Sequence, residues 1–187
     1  AKTNVITGDT YKTIWGADTL TETLCGLDFS VSPASFLQVN HRQTEALYDT
    51  ALQFAALTPD AVVVDLYCGI GTLSLCAAKR AREVVGVEIV PQAIENARKN
   101  AERNGLHNTR FLCGAAEDEL PRIFDELKAP PDVVLLDPPR KGCDPALIET
   151  LLQFCPQRLV YVSCNPATLA RDLKLLKEAY SLQTVQP

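Results

Sequence analysis

The chain contains no methionine, no C-x-x-C pair and no apolar run approaching the ~18 residues that a membrane-spanning helix requires. Each absence narrows the reading. Without a methionine to start it, the sequence of 187 residues is expected to be a piece of something longer. The opening AKTNVITGDTYK has no apolar centre of the kind a signal peptide carries, so a soluble, cytoplasmic protein without a membrane segment is expected. Seven cysteines (Cys25, Cys68, Cys76, Cys113, Cys143, Cys155 and Cys164) are odd in number and lie mostly inside apolar runs. They read as reduced thiols, neither a disulfide framework nor a metal site. A basic surplus is lacking too: 18 Lys and Arg stand against 23 Asp and Glu, for a net charge of -5. That balance argues against a free-standing nucleic-acid binder, which needs cations to neutralise phosphates. Arg140 and Lys141, then Arg158, Arg171, Lys174 and Lys177, do gather near two motifs treated below, where a solvated helix face accounts for the last three equally well.

What is present is a core of ordinary density, with 47% hydrophobic residues and enough length for one domain and a modest appendage. Two textures follow one another. Residues 1–33 are Thr/Gly-rich, with short alternating pieces YKTIWGA and ETLCGLDFSVS whose period and Gly-containing link predict a hairpin, read as the tail of a preceding β-rich region. From residue 34 to 187 the chain reads as an α/β unit. HRQTEALYDTALQFAAL places Leu47, Ala51, Phe54 and Ala55 on one helical face, with Pro59 beyond its end. Near-continuous β-branched runs then alternate with helical patterns: AVVVDL, VVGV, TRFL, DVVLL and LVYVS. Such runs fit strands covered on both faces, so the expected fold class is α/β, a doubly wound, mostly parallel sheet that binds ligands at the carboxyl ends of its strands.

Three of those strand ends carry chemistry. The first runs into DLYCGIGTLSL, where Gly69 and Gly71 let the backbone approach a ligand, and Glu88 closes the second strand where a carboxylate can accept from ribose hydroxyls. Ser74 stands where the dinucleotide pattern places a third glycine, which makes NAD the weaker candidate cofactor. The fourth strand ends in LLDPPRKG, with Asp137 held by the stiff Pro138-Pro139 pair. The fifth ends in VSCNP. Asn165 can cap a helix beginning at Pro166, which sets Cys164 just before a helix N-terminus, a place that stabilises negative charge. A lone cysteine is usually inert packing, and the combination of a ligand-edge strand end with a following helix N-terminus is what singles Cys164 out from the other six.

FLQVN, DLYCGIGTLSL, GVEIVPQAIENARKNAERNG, LLDPPRKG and VYVSCNP, in that order, resemble the successive motifs of the S-adenosylmethionine-dependent RNA 5-methyluridine methyltransferases. The likeness runs from about Ser30 to the end and is strongest to bacterial enzymes acting on 23S ribosomal RNA, with tRNA as the other RNA substrate. It implies S-adenosyl-L-methionine as cofactor, held by Gln38, Tyr67, Thr72, Glu88 and Asp137 together with the Gly69–Gly71 turn, and Cys164 as nucleophile. Position 72 is Thr where some relatives carry Asn. It implies an RNA partner, with no metal and no protein partner expected. It implies further that the general base is a glutamate of a later segment, that the 187 residues alone turn over little, and that LQTVQ starts a further strand. Three alternatives stay open. A 5-methylcytosine enzyme would place cysteine at position 139, which is Pro, and an adenine-N6 enzyme an aromatic residue where Arg140 stands. The third is a cofactor-binding scaffold without catalysis.

Overall fold

The alternating segment ETLCGLDFSVS folds on itself. Leu20–Leu24 (β1) pairs antiparallel with Leu27–Val31 (β2), Leu24 facing Leu27. Cys25 and Gly26 make the two-residue turn between them, both left-handed at φ 53° and 72°, a geometry whose twist matches that of the paired strands. The computed structural model describes residues 12–33 and 35–187. Within them Ile14 to Gly16 form a bend outside the hairpin, and Tyr11, at the start of the first expected piece, lies outside the described residues.

Helix His41–Ala55 (α1) starts where the Asn40 side chain accepts from the Gln43 amide. Its buried face is Thr44, Tyr48, Ala51, Leu52 and Ala55, a face rotated from the expected one, which leaves Leu47 and Phe54 half-buried. The rotation has a polar cause. Turned inward, the Thr44 hydroxyl donates to the Asn40 carbonyl at 2.8 Å and the Tyr48 hydroxyl meets Thr72 Oγ1 at 2.7 Å, so neither buried hydroxyl is left unpaired.

The remaining elements alternate as the apolar runs predict: Val62–Leu66 (β3), Thr72–Ala78 (α2), Glu83–Glu88 (β4), Pro91–Arg103 (α3), Thr109–Cys113 (β5), Ala116–Leu127 (α4), Val133–Leu136 (β6), Pro145–Phe154 (α5), Arg158–Tyr161 (β7) and Pro166–Leu176 (α6). All pairings in the five-stranded sheet are parallel, in the order β5-β4-β3-β6-β7. Successive side chains of each strand serve opposite layers. Val63, Val84, Val133 and Leu135 pack with α1, α2 and α3, whereas Val64, Val85, Val134 and Leu136 pack under α4, α5 and α6. Each such side chain removed from water contributes about 1.5–3 kcal/mol, and parallel strands need both faces covered. The segment Leu182 to Gln186, expected to start a strand, has no regular structure. Among the described residues no helix is long and apolar enough to cross a membrane.

The hairpin belongs to the first of these layers, with Leu24, Leu27 and Phe29 buried beside α1, α2 and α3. Its backbone is tied down as well: the Asp28 and Ser30 amides donate to Asn104 Oδ1 (2.9 Å) and Asn100 Oδ1 (2.8 Å), and Asn104 Nδ2 donates back to the Asp28 carbonyl (2.8 Å). At the far corner, Arg158 Nη1 at the start of β7 donates to the Phe54 carbonyl near the end of α1. Helix α1 therefore runs against the strand direction, and the segment before it points to the carboxyl edge of the sheet.

Candidate active site

The site forms at that carboxyl edge, where four neighbouring strands end. In sheet order they are β4 with Glu88, β3 with the 67–71 turn, β6 with Asp137 and β7 with the loop to Cys164. Three strand spacings of about 4.8 Å separate the outer two. The chain adds β4 and β5 on one side of β3, and β6 and β7 on the other, so the switch point of a doubly wound fold, and with it the crevice, falls between β3 and β6, at the glycine turn and Asp137.

The turn is built from left-handed residues at Tyr67 (φ 68°), Gly69 (φ 56°) and Gly71 (φ 84°). A side chain is unfavourable at each, and Tyr67 is the one non-glycine held there. The two glycines answer different needs. A Cβ added to Gly71 would come within 3.1 Å of the Phe111 ring and 3.2 Å of Ala97 Cβ, so its absence serves packing. A Cβ added to Gly69 would meet nothing within 4 Å, so its absence leaves open room at the strand ends. Glu88 braces this turn: Oε2 accepts from the Gly69 amide (3.2 Å) and Oε1 from the Val90 amide (2.9 Å). Thr72 is 8% exposed and its hydroxyl is engaged by Tyr48. Gln38 lies before α1 and lines a depression of about 270 Å³ with Glu22, Leu24, Leu37, Val39 and His41.

Burial sets the charges in the crevice. It pushes the Asp137 carboxyl up to about 6. No hydrogen bond to that carboxylate occurs among the described residues. Below the glycine turn, inside β3, Asp65 is 1% exposed and raised to about 7; burial does most of this, the Ser74 hydroxyl opposes it, and the charges of Asp137 and Glu88 add to it. Burial likewise raises the Tyr48 and Tyr67 hydroxyls.

The cysteines separate by environment. Cys68, inside the glycine turn, is buried and its thiol is held well above the ordinary range by desolvation, which keeps it protonated and unreactive. Cys143 is buried as well and pushed up to about 11. Cys164 is exposed on the loop leaving β7, beside the Asn165 cap whose Oδ1 accepts from the Ala167 amide (3.1 Å) and ahead of Pro166 at the first helical position. Glu88, the glycine turn, Asp137 and Cys164 thus lie along one edge, whereas Gln38 lines a separate depression against the hairpin. Asp65 with Ser74, and Asp172 in α6, were not singled out by their motifs; the available signal for Asp65 was an ionisable residue in the otherwise apolar VVVDL, which needs a buried partner.

A family model described as tRNA (Uracil-5-)-methyltransferase matches residues 12–186. The chain belongs to this family. It is 54% identical over 187 residues to an uncharacterized RNA methyltransferase of Listeria innocua, covering 100% of this chain and 41% of that protein. A Halalkalibacterium halodurans RNA methyltransferase is 51% identical over 188 residues, with coverage of 100% and 41%. The chain thus spans about two-fifths of the length of these curated relatives. Among solved structures, Pyrococcus abyssi tRNA (uracil-54, C5)-methyltransferase in complex with S-adenosyl-L-homocysteine superimposes with a TM-score of 0.78 at 34% identity, covering 94% of this chain and 42% of that one. An S-adenosylmethionine-dependent methyltransferase of Agrobacterium tumefaciens, at 21% identity and TM-score 0.67 over 92% of this chain and 63% of that one, shares the fold. The uracil-5-methyltransferase family therefore has the doubly wound sheet described above.

Proposed function

We propose that this chain is the S-adenosylmethionine-binding catalytic unit of an RNA methyltransferase that methylates C5 of a uridine, with 23S ribosomal RNA as substrate. The observation that carries the reading is the row of Glu88, the Gly69–Gly71 turn, Asp137 and Cys164 across four adjacent strand ends in a chain of this family. On this reading residues 34–187 hold the reacting groups, and the hairpin within residues 1–33 braces α2 and α3 from outside.

The residues fit the cofactor on two counts. Gly69 leaves room where a side chain would stand, and the Asp137 carboxylate, unpaired among the described residues, suits a cationic amine. Glu88, with one oxygen on the Gly69 amide and the other on the Val90 amide, has lone pairs left for ribose hydroxyls. Tyr67, Gly69, Gly71, Glu88 and Asp137 would hold it, with Gln38 of the segment before α1 and Thr72 of α2 bordering. Bound there, S-adenosylmethionine supplies an electrophilic methyl group.

The uracil ring needs help from the protein, because its C5 is a poor nucleophile. Thiolate addition by Cys164 forms an Sγ–C6 bond and moves the C5–C6 π electrons onto C5. That pair becomes the bond from C5 to its new methyl group; a base then takes the C5 proton, the C5–H electrons re-form the C5–C6 π bond, and the Sγ–C6 pair leaves on the thiolate. An exposed thiol on a strand-end loop can reach a base flipped out of its stack, which a buried Cys68 or Cys143 cannot.

Incubation of the full-length protein with S-adenosylmethionine and undermethylated 23S ribosomal RNA is expected to give 5-methyluridine by nucleoside mass spectrometry. The Pyrococcus abyssi likeness supports tRNA as the second substrate to test. Absence of 5-methyluridine from both RNAs, with 5-methylcytosine or N6-methyladenine in its place, would overturn the reading. Calorimetry with S-adenosylmethionine is expected to give saturable heat, and NAD none.

The two glycines predict divergent defects. Gly71→Ala is expected to lose about 1–3 kcal/mol of stability through crowding of Phe111 and Ala97. Gly69→Ala, facing open room, should lose about 1–2 kcal/mol from its left-handed backbone and in addition bind S-adenosylhomocysteine roughly tenfold more weakly. Thermal melts and titration calorimetry on both variants check this; equal affinity losses would remove the assignment of Gly69 to the ligand side.

A further inference from the structure

Behind the two strand ends that carry Asp137 and Cys164 lies a buried acid that the reaction does not require. Asp172, in α6, is 1% exposed. Its Oδ2 accepts from the Cys143 amide (2.9 Å) and the Tyr161 hydroxyl (2.7 Å), and its Oδ1 from Arg171 Nε (2.9 Å). Arg171 Nη2 donates onward to the carbonyls of Lys141 (2.9 Å) and Cys143 (3.4 Å). From the start of α6, Asn165 Nδ2 (3.1 Å) and Thr168 Oγ1 (3.2 Å) both donate to the Arg140 carbonyl. The loop is shaped to receive them: Gly142 is left-handed at φ 80°, and a Cβ there would lie 2.5 Å from Arg171 Nη2 and 2.6 Å from Asp172 Oδ2.

A carboxylate taken out of water needs its lone pairs filled. Here the partners come from three separate elements: β7 through Tyr161, the loop after β6 through Cys143, and α6 through Arg171. Their common geometric result is that the segment leaving Asp137 and the segment carrying Cys164 are locked to one another. Backbone bonds carry the sheet one residue further, from the Asp137 amide to the Leu66 carbonyl (3.4 Å) and from the Val162 amide to the Leu136 carbonyl (2.7 Å), and beyond these the two segments are joined by the side-chain bonds of this cluster.

We propose that Asp172 is a positioning residue, whose carboxylate sets the placement of the Cys164 loop against residues 139–143, while Asp137 itself is held by its own backbone bond to the Leu66 carbonyl. The inference rests on the methyltransferase reading above and adds to it a residue that touches neither cofactor nor uridine. Two oxygens serving three donors explain why an amide would serve less well: asparagine keeps one acceptor and turns a donor toward the others. Gly142→Ala disturbs the same clamp from the loop side, its Cβ pressing on Arg171 Nη2 and Asp172 Oδ2 while the carboxylate itself is kept.

The test uses transcripts of 23S ribosomal RNA and of a tRNA in which uridine is replaced by 5-fluorouridine. Fluorine at C5 leaves no proton to remove after methylation, so the Sγ–C6 bond persists and the protein–RNA adduct can be timed on a denaturing gel. Asp172→Ala and Gly142→Ala are expected to slow adduct formation roughly 10- to 100-fold, with Asp172→Asn between them and the unaltered protein. S-adenosylhomocysteine affinity should stay unchanged. Hydrogen exchange should accelerate together over residues 139–143 and 163–168, while β3 and β4 keep their protection. An unimpaired adduct rate in Asp172→Ala overturns the inference, as does a loss of cofactor affinity that parallels the loss of rate. Should Asp172→Ala fail to fold, Gly142→Ala and Asp172→Asn carry the test: faster exchange with an undiminished rate overturns it. No adduct from the unaltered protein on either transcript means that the methyltransferase reading itself fails, and this inference with it.

Discussion

Cys164→Ala is expected to abolish 5-methyluridine formation, lowering turnover by roughly 10⁴-fold or more, since removal of a covalent nucleophile leaves binding and orientation alone to act. S-adenosylhomocysteine affinity should be retained, because Cys164 lies on the β7–α6 loop, at the far end of the strand row from Glu88 and the glycine turn. The comparison that gives this result meaning is with Cys68→Ala and Cys143→Ala. Both thiols are buried and raised by desolvation, so their loss should affect packing and leave the nucleoside product detectable by mass spectrometry. Turnover surviving in Cys164→Ala would move the nucleophile elsewhere and remove the covalent step.

Stability should fall as pH rises from about 4 to about 7 and level off above that, and Asp65→Asn should flatten the profile. The ordinary carboxyl value of 3.8 is raised to about 7 by burial in β3. Between those values the folded chain holds a proton that the unfolded chain releases, so the stabilisation is complete below the unfolded value and is lost as pH climbs through the folded one. For a shift of this size the change reaches up to roughly 4 kcal/mol. Asp137, raised to about 6, contributes in the same direction and survives in the variant as a smaller slope. Urea unfolding at about pH 5 and about pH 8 decides the matter: equal stability of the unaltered protein at both would mean that Asp65 is ionised in the fold.

The elements were legible where a single physical pattern dominates. The five β-branched runs became the five parallel strands because a strand covered on both faces can afford few polar residues. Pro91 and Pro166 each open a helix, as the N1 preference predicts, and the structure adds Pro145 at the same first helical position. The legibility ended where partners distant in the chain decide. The inward face of α1 turned on a hydroxyl pair between Tyr48 and Thr72, 24 residues apart, which periodicity cannot register. The Asp172 clamp joins residues up to 30 apart in sequence, and nothing in LARDL marks its acid as buried. Gly69 and Gly71 were read alike as turn residues, and only their surroundings in space assign one to packing and the other to open room.

The asparagines of α3 have a consequence for the behaviour of the hairpin toward other chains. A two-stranded ribbon exposes one outward row of amides and carbonyls on each strand, the template from which sheets grow by adding a stranger. On β2 the outward amides of Asp28 and Ser30 and the Asp28 carbonyl are already taken by Asn104 and Asn100, so a helix stands in for the missing neighbour. Because those groups fall on alternate residues, a slip of one position would turn the amides away from both asparagines. Two side chains thus shield the β2 edge from recruitment and lock the ribbon's registry against the helix, in place of a third strand.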